Sequence, residues 1–169
     1  MLQLSRGLYD PDAVMVIGSD NLCHPEWIQF CVNELVNGAD VVGSNIIHFV
    51  DPVSDRVMRS RLRSGAGRCY SRKLLDAYDW KLWPDDLNEG LDGAVDRLLI
   101  EQPKYATKQV YTDDGIIVDI KDPEGPNRWT FEEMHSMTGG EILRTPASVW
   151  MAETFPTFKM PEYEPERIP

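Results

Sequence analysis

The sequence predicts an α/β fold, a mixed sheet flanked by helices, on three observations. Ala13-Val-Met-Val-Ile-Gly18 is an apolar run rich in β-branched residues that stops at the polar cluster Ser19-Asp20-Asn21. That is the pattern of a strand buried on both faces with a carboxylate at its C-terminal end. Directly after it, Trp27, Ile28, Cys31, Leu35 and Val36 recur at helical spacing, and residues 39–50 form a second apolar stretch, broken at Gly43-Ser44-Asn45, that reads as a strand or strand pair.

The remaining elements follow in chain order. Residues 1–12 read as a short amphipathic helix or turn that Tyr9-Asp-Pro-Asp12 breaks. His24-Pro25-Glu26 sets up the start of the first strong helix, and Asn37-Gly38 stops it. Asp51-Pro-Val-Ser-Asp55 turns the chain, and a helical pattern runs from Ser71 through Leu74, Leu75 and Tyr78 to Trp80. Trp83-Pro84 is a breaker, after which Leu91, Val95, Leu98 and Leu99 mark a helix that ends before Pro103. Ala106–Tyr111 and Gly115–Ile120 read as two short strands, and Thr112-Asp-Asp-Gly115 between them predicts a hairpin turn. A last short helix is expected from Phe131 to Met137, before Gly139-Gly140. The expected organisation is one α/β domain over residues 1–154 and an extended, Pro- and Glu-rich tail over 155–169.

Composition narrows the function classes. A chain of 169 residues with 42% hydrophobic content suffices for one domain with a real core. With 17 basic against 28 acidic residues the net charge is −11, which repels a phosphate backbone and argues against nucleic-acid binding. An anionic ligand would need a local remedy such as a bound cation. Cys23, Cys31 and Cys69 contain no C-x-x-C pair, so a disulfide framework or zinc site is not indicated and a reducing, cytoplasmic setting is expected. No run of apolar residues is long enough to span a bilayer and no basic leader precedes one, so neither a membrane partner nor secretion is expected.

Candidate functional residues come from a few segments. Asp20 ends a strand, where open α/β sheets bind ligands; an acid there also starts turns or caps helices. Gly65-Ala66-Gly67 lets a backbone approach a ligand closely or simply turns the chain. Arg59, Arg61, Arg63, Arg68 and Arg72 make the surrounding stretch the most basic of an acidic chain. It suits phosphate or carboxylate recognition, or forms a solvated face. Asp92 opens a helix, either as its cap or as a base. Of His24, His48 and His135 none has a ligand spacing, and Trp80, Trp83 and Trp129 either stack on sugar rings or fill the core.

Taken together, the strand, the acidic turn, the Pro-containing helix start, the Gly38-Ala-Asp-Val-Val-Gly43 strand, the Gly-x-Gly loop followed by Ser71-Arg72 and the late acidic helix start resemble the GT-A glycosyltransferases, the nucleotide-diphospho-sugar transferases. The resemblance covers residues 8 to 140 and matches the C-terminal part of that fold. It implies that Asp20 is the last acid of a D-x-D-type motif whose first acid is here Gly18, holding Mn2+ or Mg2+ on the diphosphate of a nucleotide-sugar. It further implies that Gly65, Gly67, Arg68, Arg72 and Trp83 line the donor sugar and the carbohydrate acceptor, that Asp92 is the base deprotonating the acceptor hydroxyl, and that His135 is a late metal ligand. Asp96 and Arg97, one turn into that helix, read as structural. The nucleotide-holding half that precedes the acidic turn in the family has no counterpart in residues 1–12, which leaves a non-catalytic carbohydrate- or protein-binding remnant as the other reading. A strand at 13–18 without its usual neighbours predicts self-association as a homodimer.

Overall fold

The computed structural model describes residues 2–83, 91–121 and 129–159, and the side chains of residues 2–5 and 91–92 fall outside that description. In chain order the elements are α1 (Leu2–Tyr9), β1 (Ala13–Val16), β2 (Asn21–Cys23), α2 (Pro25–Val36), β3 (Val41–Ser44), β4 (Ile46–Asp51), β5 (Arg56–Arg61), β6 (Arg68–Ser71), α3 (Arg72–Ala77), α4 (Leu91–Glu101), β7 (Gln109–Thr112), β8 (Ile117–Ile120), α5 (Phe131–Thr138), β9 (Glu141–Ile142) and α6 (Ala147–Thr154). They form two mixed sheets flanked by helices, ordered β1-β6-β3-β7 and β2-β8-β4-β5-β9.

Local chemistry explains where the elements begin and end. Pro25 takes the first turn of α2, where its missing N–H is no loss, and the His24 side chain accepts from the Glu26 N–H. Ser71 caps α3 and Thr130 forms a reciprocal capping box with Glu133 on α5, which ends at Gly139 in the left-handed region. The turn read at 51–55 joins β4 to β5 as an antiparallel pair, with Asp51 Oδ1 accepting from the Val53 and Ser54 N–H groups.

Three times the chain leaves the first sheet for the second: between β1 and β2, between β3 and β4, and between β7 and β8. The last of these corrects the hairpin expected at 112–115. β7 pairs in parallel with β3, and β8 pairs with β2 and β4 in the other sheet, so the two strands never meet. Asp114-Gly115 has the composition of a turn, yet Gly115 is there for space. A Cβ on it would stand 2.8 Å from Ser44 Oγ and 2.9 Å from Trp27 Cε3.

The first strand also differs from its expectation. β1 is half-buried throughout and, among the described residues, lies at a sheet edge with β6 as its antiparallel partner. Its apolar residues are used on both sides nonetheless: Val14 and Val16 pack with α3 and α4, and Met15 faces the cluster that joins the two sheets. That joining cluster draws Trp27 and Cys31 from α2, Val42 and Cys69 from the first sheet, Phe49 and Met58 from the second, and Phe131 and Met134 from α5. On the far face of the second sheet, Val50, Val57 and Val118 pack against Ala147 and Met151 of α6. Phe155 and Phe158, the start of the expected tail, join that packing, and residues 160–169 lie outside the described part. Among the described residues no helix is long and apolar enough to cross a membrane.

Candidate functional site

The site begins at the first sheet crossing. Past Val16 the chain turns tightly: the Asn21 N–H donates to the Gly18 carbonyl at 3.2 Å, and the Gly18 N–H donates to Asn21 Oδ1 at 3.0 Å. The Ile120 N–H donates to the Asp20 carbonyl at 2.9 Å and ties the turn to β8. A Cβ at position 18 would lie 2.7 Å from Asp20 Oδ1 and from Asn21 Oδ1. Glycine at this position therefore clears the space in which the Asp20 carboxylate stands.

That carboxylate enters a pocket of about 260 Å³. Asn21 and Asp119 share its wall, Ser64 and Gly65 reach it from the loop before β6, and Tyr70 with Trp83 supplies an aromatic side. The two rings meet edge to face with centroids 6.3 Å apart. Asp20, Gly65 and Trp83, singled out from distant parts of the sequence, are thus brought together.

Asp119 was not among the expected site residues. It lies opposite Asn21 in the β2–β8 ladder, 16% of its side chain exposed, with Lys121 Nζ 2.9 Å from Oδ1 and 3.0 Å from Oδ2. The ammonium donates an aligned hydrogen bond to Oδ2 only; Oδ1 is buried without one. Burial pushes the Asp119 carboxyl above the ordinary range, Lys121 opposes that shift, and the nearby Asp20 charge adds to it. The signal in the sequence is an acid in the otherwise apolar run Ile116-Ile117-Val118-Asp119-Ile120, followed by Lys121.

Other expected site residues lie elsewhere. Gly67 is buried with φ +67°, where a Cβ would meet Ile117 Cδ1 at 2.8 Å, and its carbonyl accepts from Trp27 Nε1 at 3.0 Å. It shapes the core behind the pocket. Arg68 is fully buried and ion-paired with Asp96 of α4 at 3.0 Å, so Asp96 is structural as read and the guanidinium is not part of the pocket lining. Arg72 pairs with Asp10 at 2.7 Å and Asp76 at 3.1 Å. It follows Ser71, which pairs with Ala13 at the end of β1 away from the pocket. His135 sits exposed on α5 and is not among the lining residues. Asp92 is the second residue of α4, one turn ahead of Asp96, and its side chain lies outside the described residues.

The donors present suit a divalent cation. Asp20, Asp119 and Asn21 offer only oxygens, the hard ligands Mg2+ and Mn2+ accept, with waters and ligand oxygens usually completing the shell. Among the described residues no three His, Cys, Asp or Glu side chains converge as a metal-holding group. The donor chemistry fits, with Asp20 as the leading ligand because Lys121 already occupies Asp119. Compared with protein-family models, with curated proteins and with solved structures, the chain finds no match.

Proposed function

We propose that this chain is a GT-A-like glycosyltransferase that binds a nucleotide-sugar in the Asp20 pocket and transfers the sugar to an acceptor hydroxyl with Mn2+ or Mg2+. The supporting observation is the convergence of the acidic turn, the glycine loop, Trp83 and Asp119 on one cavity at a sheet crossing. Asp20 would hold the cation, whose chemistry there is to neutralise charge on the departing diphosphate. Gly65 lets backbone approach the ligand, and Trp83, packed edge to face on the buried Tyr70, offers a ring face for a sugar or base. Asp92 is the proposed base, since α4 is anchored beside the pocket through Asp96, Arg68 and the Arg68–Val16 pairing. Proton abstraction requires hydrogen-bond reach to the acceptor hydroxyl.

One observation favours the other reading, a carbohydrate-binding remnant without catalysis: no Lys or Arg is among the described lining residues, so an anionic diphosphate meets acids first. Calorimetric titration with uridine and guanosine diphosphates, with and without Mn2+, separates the two. Binding that needs Mn2+ and is lost in Asp20→Ala supports the transferase. If neither diphosphate binds the folded chain, the donor-site reading falls. The homodimer is part of the same proposal, with the edge that β1 forms among the described residues as one surface it could use, and a monomer mass by light scattering would remove it.

A further inference from the structure

A second cavity, of about 200 Å³, lies at the opposite end of the β2–β8 ladder. His24, Glu26, Trp27 and Phe30 line it from the start of α2, and Thr112 and Asp114 from the crossing between β7 and β8. Only β2 separates Asn21 of the first pocket from His24 of the second, roughly 10 Å of extended chain.

Its groups have a distinct chemistry. Trp27 and Phe30 stack with centroids 5.5 Å apart and planes 20° from parallel, and the Trp27 indole N–H is turned inward to the Gly67 carbonyl. Trp27 is almost wholly buried at 3% exposure, so the apolar ring surface on the cavity is chiefly that of the half-buried Phe30. His24 Nδ1 accepts the Glu26 N–H at 3.3 Å, which in the neutral ring leaves Nε2–H as a donor. Thr112 Oγ1 donates to Asp114 Oδ2 at 3.0 Å and accepts the Asp114 N–H at 3.1 Å, so the carboxylate is held while Oδ1 remains an acceptor. Glu26, with 88% of its side chain exposed, adds a second carboxylate at the rim.

An anion is repelled by these two acids. A metal ion would find His24 Nδ1 already accepting the Glu26 N–H and Asp114 Oδ2 already accepting from Thr112. The N-terminal end of the α2 dipole and the His24 donor disfavour an organic cation. A neutral pyranose fits each feature: hydroxyls that both donate and accept, and an apolar ring face for the aromatic wall. The volume lies below the roughly 300 Å³ of drug-sized pockets, which limits the guest to a single ring.

We infer that this cavity is a second carbohydrate site, taking one neutral pyranose unit between the Phe30 ring, backed by buried Trp27, and the Asp114 carboxylate. It stands apart from the donor-site reading. The test is amide and indole NMR on the full chain, titrated with methyl glucoside, galactoside and mannoside, and separately with tetramethylammonium. At least one glycoside is expected to shift the Trp27 indole and Asp114 amide signals saturably. The dissociation constant should rise about tenfold in Phe30→Ala and severalfold in Asp114→Asn, and stay unchanged in Asp20→Ala. Asp114 is exposed, so its variant reads the site even if Phe30→Ala unfolds. No shift with any glycoside, shifts that survive both cavity variants, shifts lost in Asp20→Ala, or a response to tetramethylammonium alone would each overturn the inference.

Discussion

The acidic turn at 18–21 and the basic stretch at 59–72 are two polar signals in the sequence, and the fold uses them in opposite ways. The turn delivers Asp20 to a pocket, and among the described residues no side-chain hydrogen bond holds its carboxylate. The arginines instead bind the scaffold: Arg61 pairs with Asp113 at 2.9 Å, Arg63 lies 3.9 Å over the Tyr111 ring, Arg68 is buried against Asp96, and Arg72 bridges Asp10 and Asp76. The difference is one of reach and supply. A guanidinium on a long stem in a chain of net charge −11 finds a carboxylate of its own fold nearby.

The largest effect is expected at Arg68. Arg68→Ala removes a fully buried partner of Asp96 and leaves a void, so urea unfolding should show a loss of about 3 kcal/mol, the lower end for a broken buried pair because Asp96 is partly solvated. Unchanged stability with lost ligand binding would reverse the contrast.

A comparable effect is expected from His48, on the α6 face of the second sheet, stacked 4.9 Å from Trp150. Burial, with help from the Arg59 charge and against a hydrogen bond to the Ile117 backbone, lowers its pKa from 6.5 to about 4. Between those values the unfolded chain binds the extra proton, so stability is complete above pH 6.5 and falls as pH drops toward 4. The loss is on the order of 3 kcal/mol. Thermal melts across that window should flatten in His48→Gln once its baseline loss is subtracted.

Gly67→Ala places a Cβ at positive φ and against Ile117 and Trp27, for an expected loss of about 2 kcal/mol by denaturant titration. The smallest stability effect is at the pocket. Asp20→Ala should stay within about 0.5 kcal/mol of the parent while abolishing Mn2+-dependent diphosphate binding. A large destabilisation there would make Asp20 a scaffold residue like the arginines.

What was readable in the sequence depends on how many partners an element needs. The helix at 25–36 and the turn at 51–55 were legible because Pro25, Asn37-Gly38 and Asp51 act on neighbours a few residues away. The capping of 131–138 is equally local. The hairpin at 112–115 was misread because Asp-Gly chemistry is the same in a hairpin and in a sheet crossing; only the parallel partners β3 and β4, far away in sequence, decide between them. Asp119 is not legible as a site residue in the sequence because its place depends on Asn21 across the ladder and on the nearby Asp20 charge.

By itself, then, the sequence determined the alternation of strands and helices, the acid that follows the first strand, and a net charge of −11. These follow from periodicity, caps and composition, which are short-range or additive. Tertiary structure alone decided that the strands divide between two sheets, that Gly18 clears room for Asp20, and that Arg68 turns inward to Asp96. It also decided that Gly65, Trp83 and Asp119 face one cavity. Each of these is set by contacts between residues distant in sequence, whose geometry exists only once the core has packed.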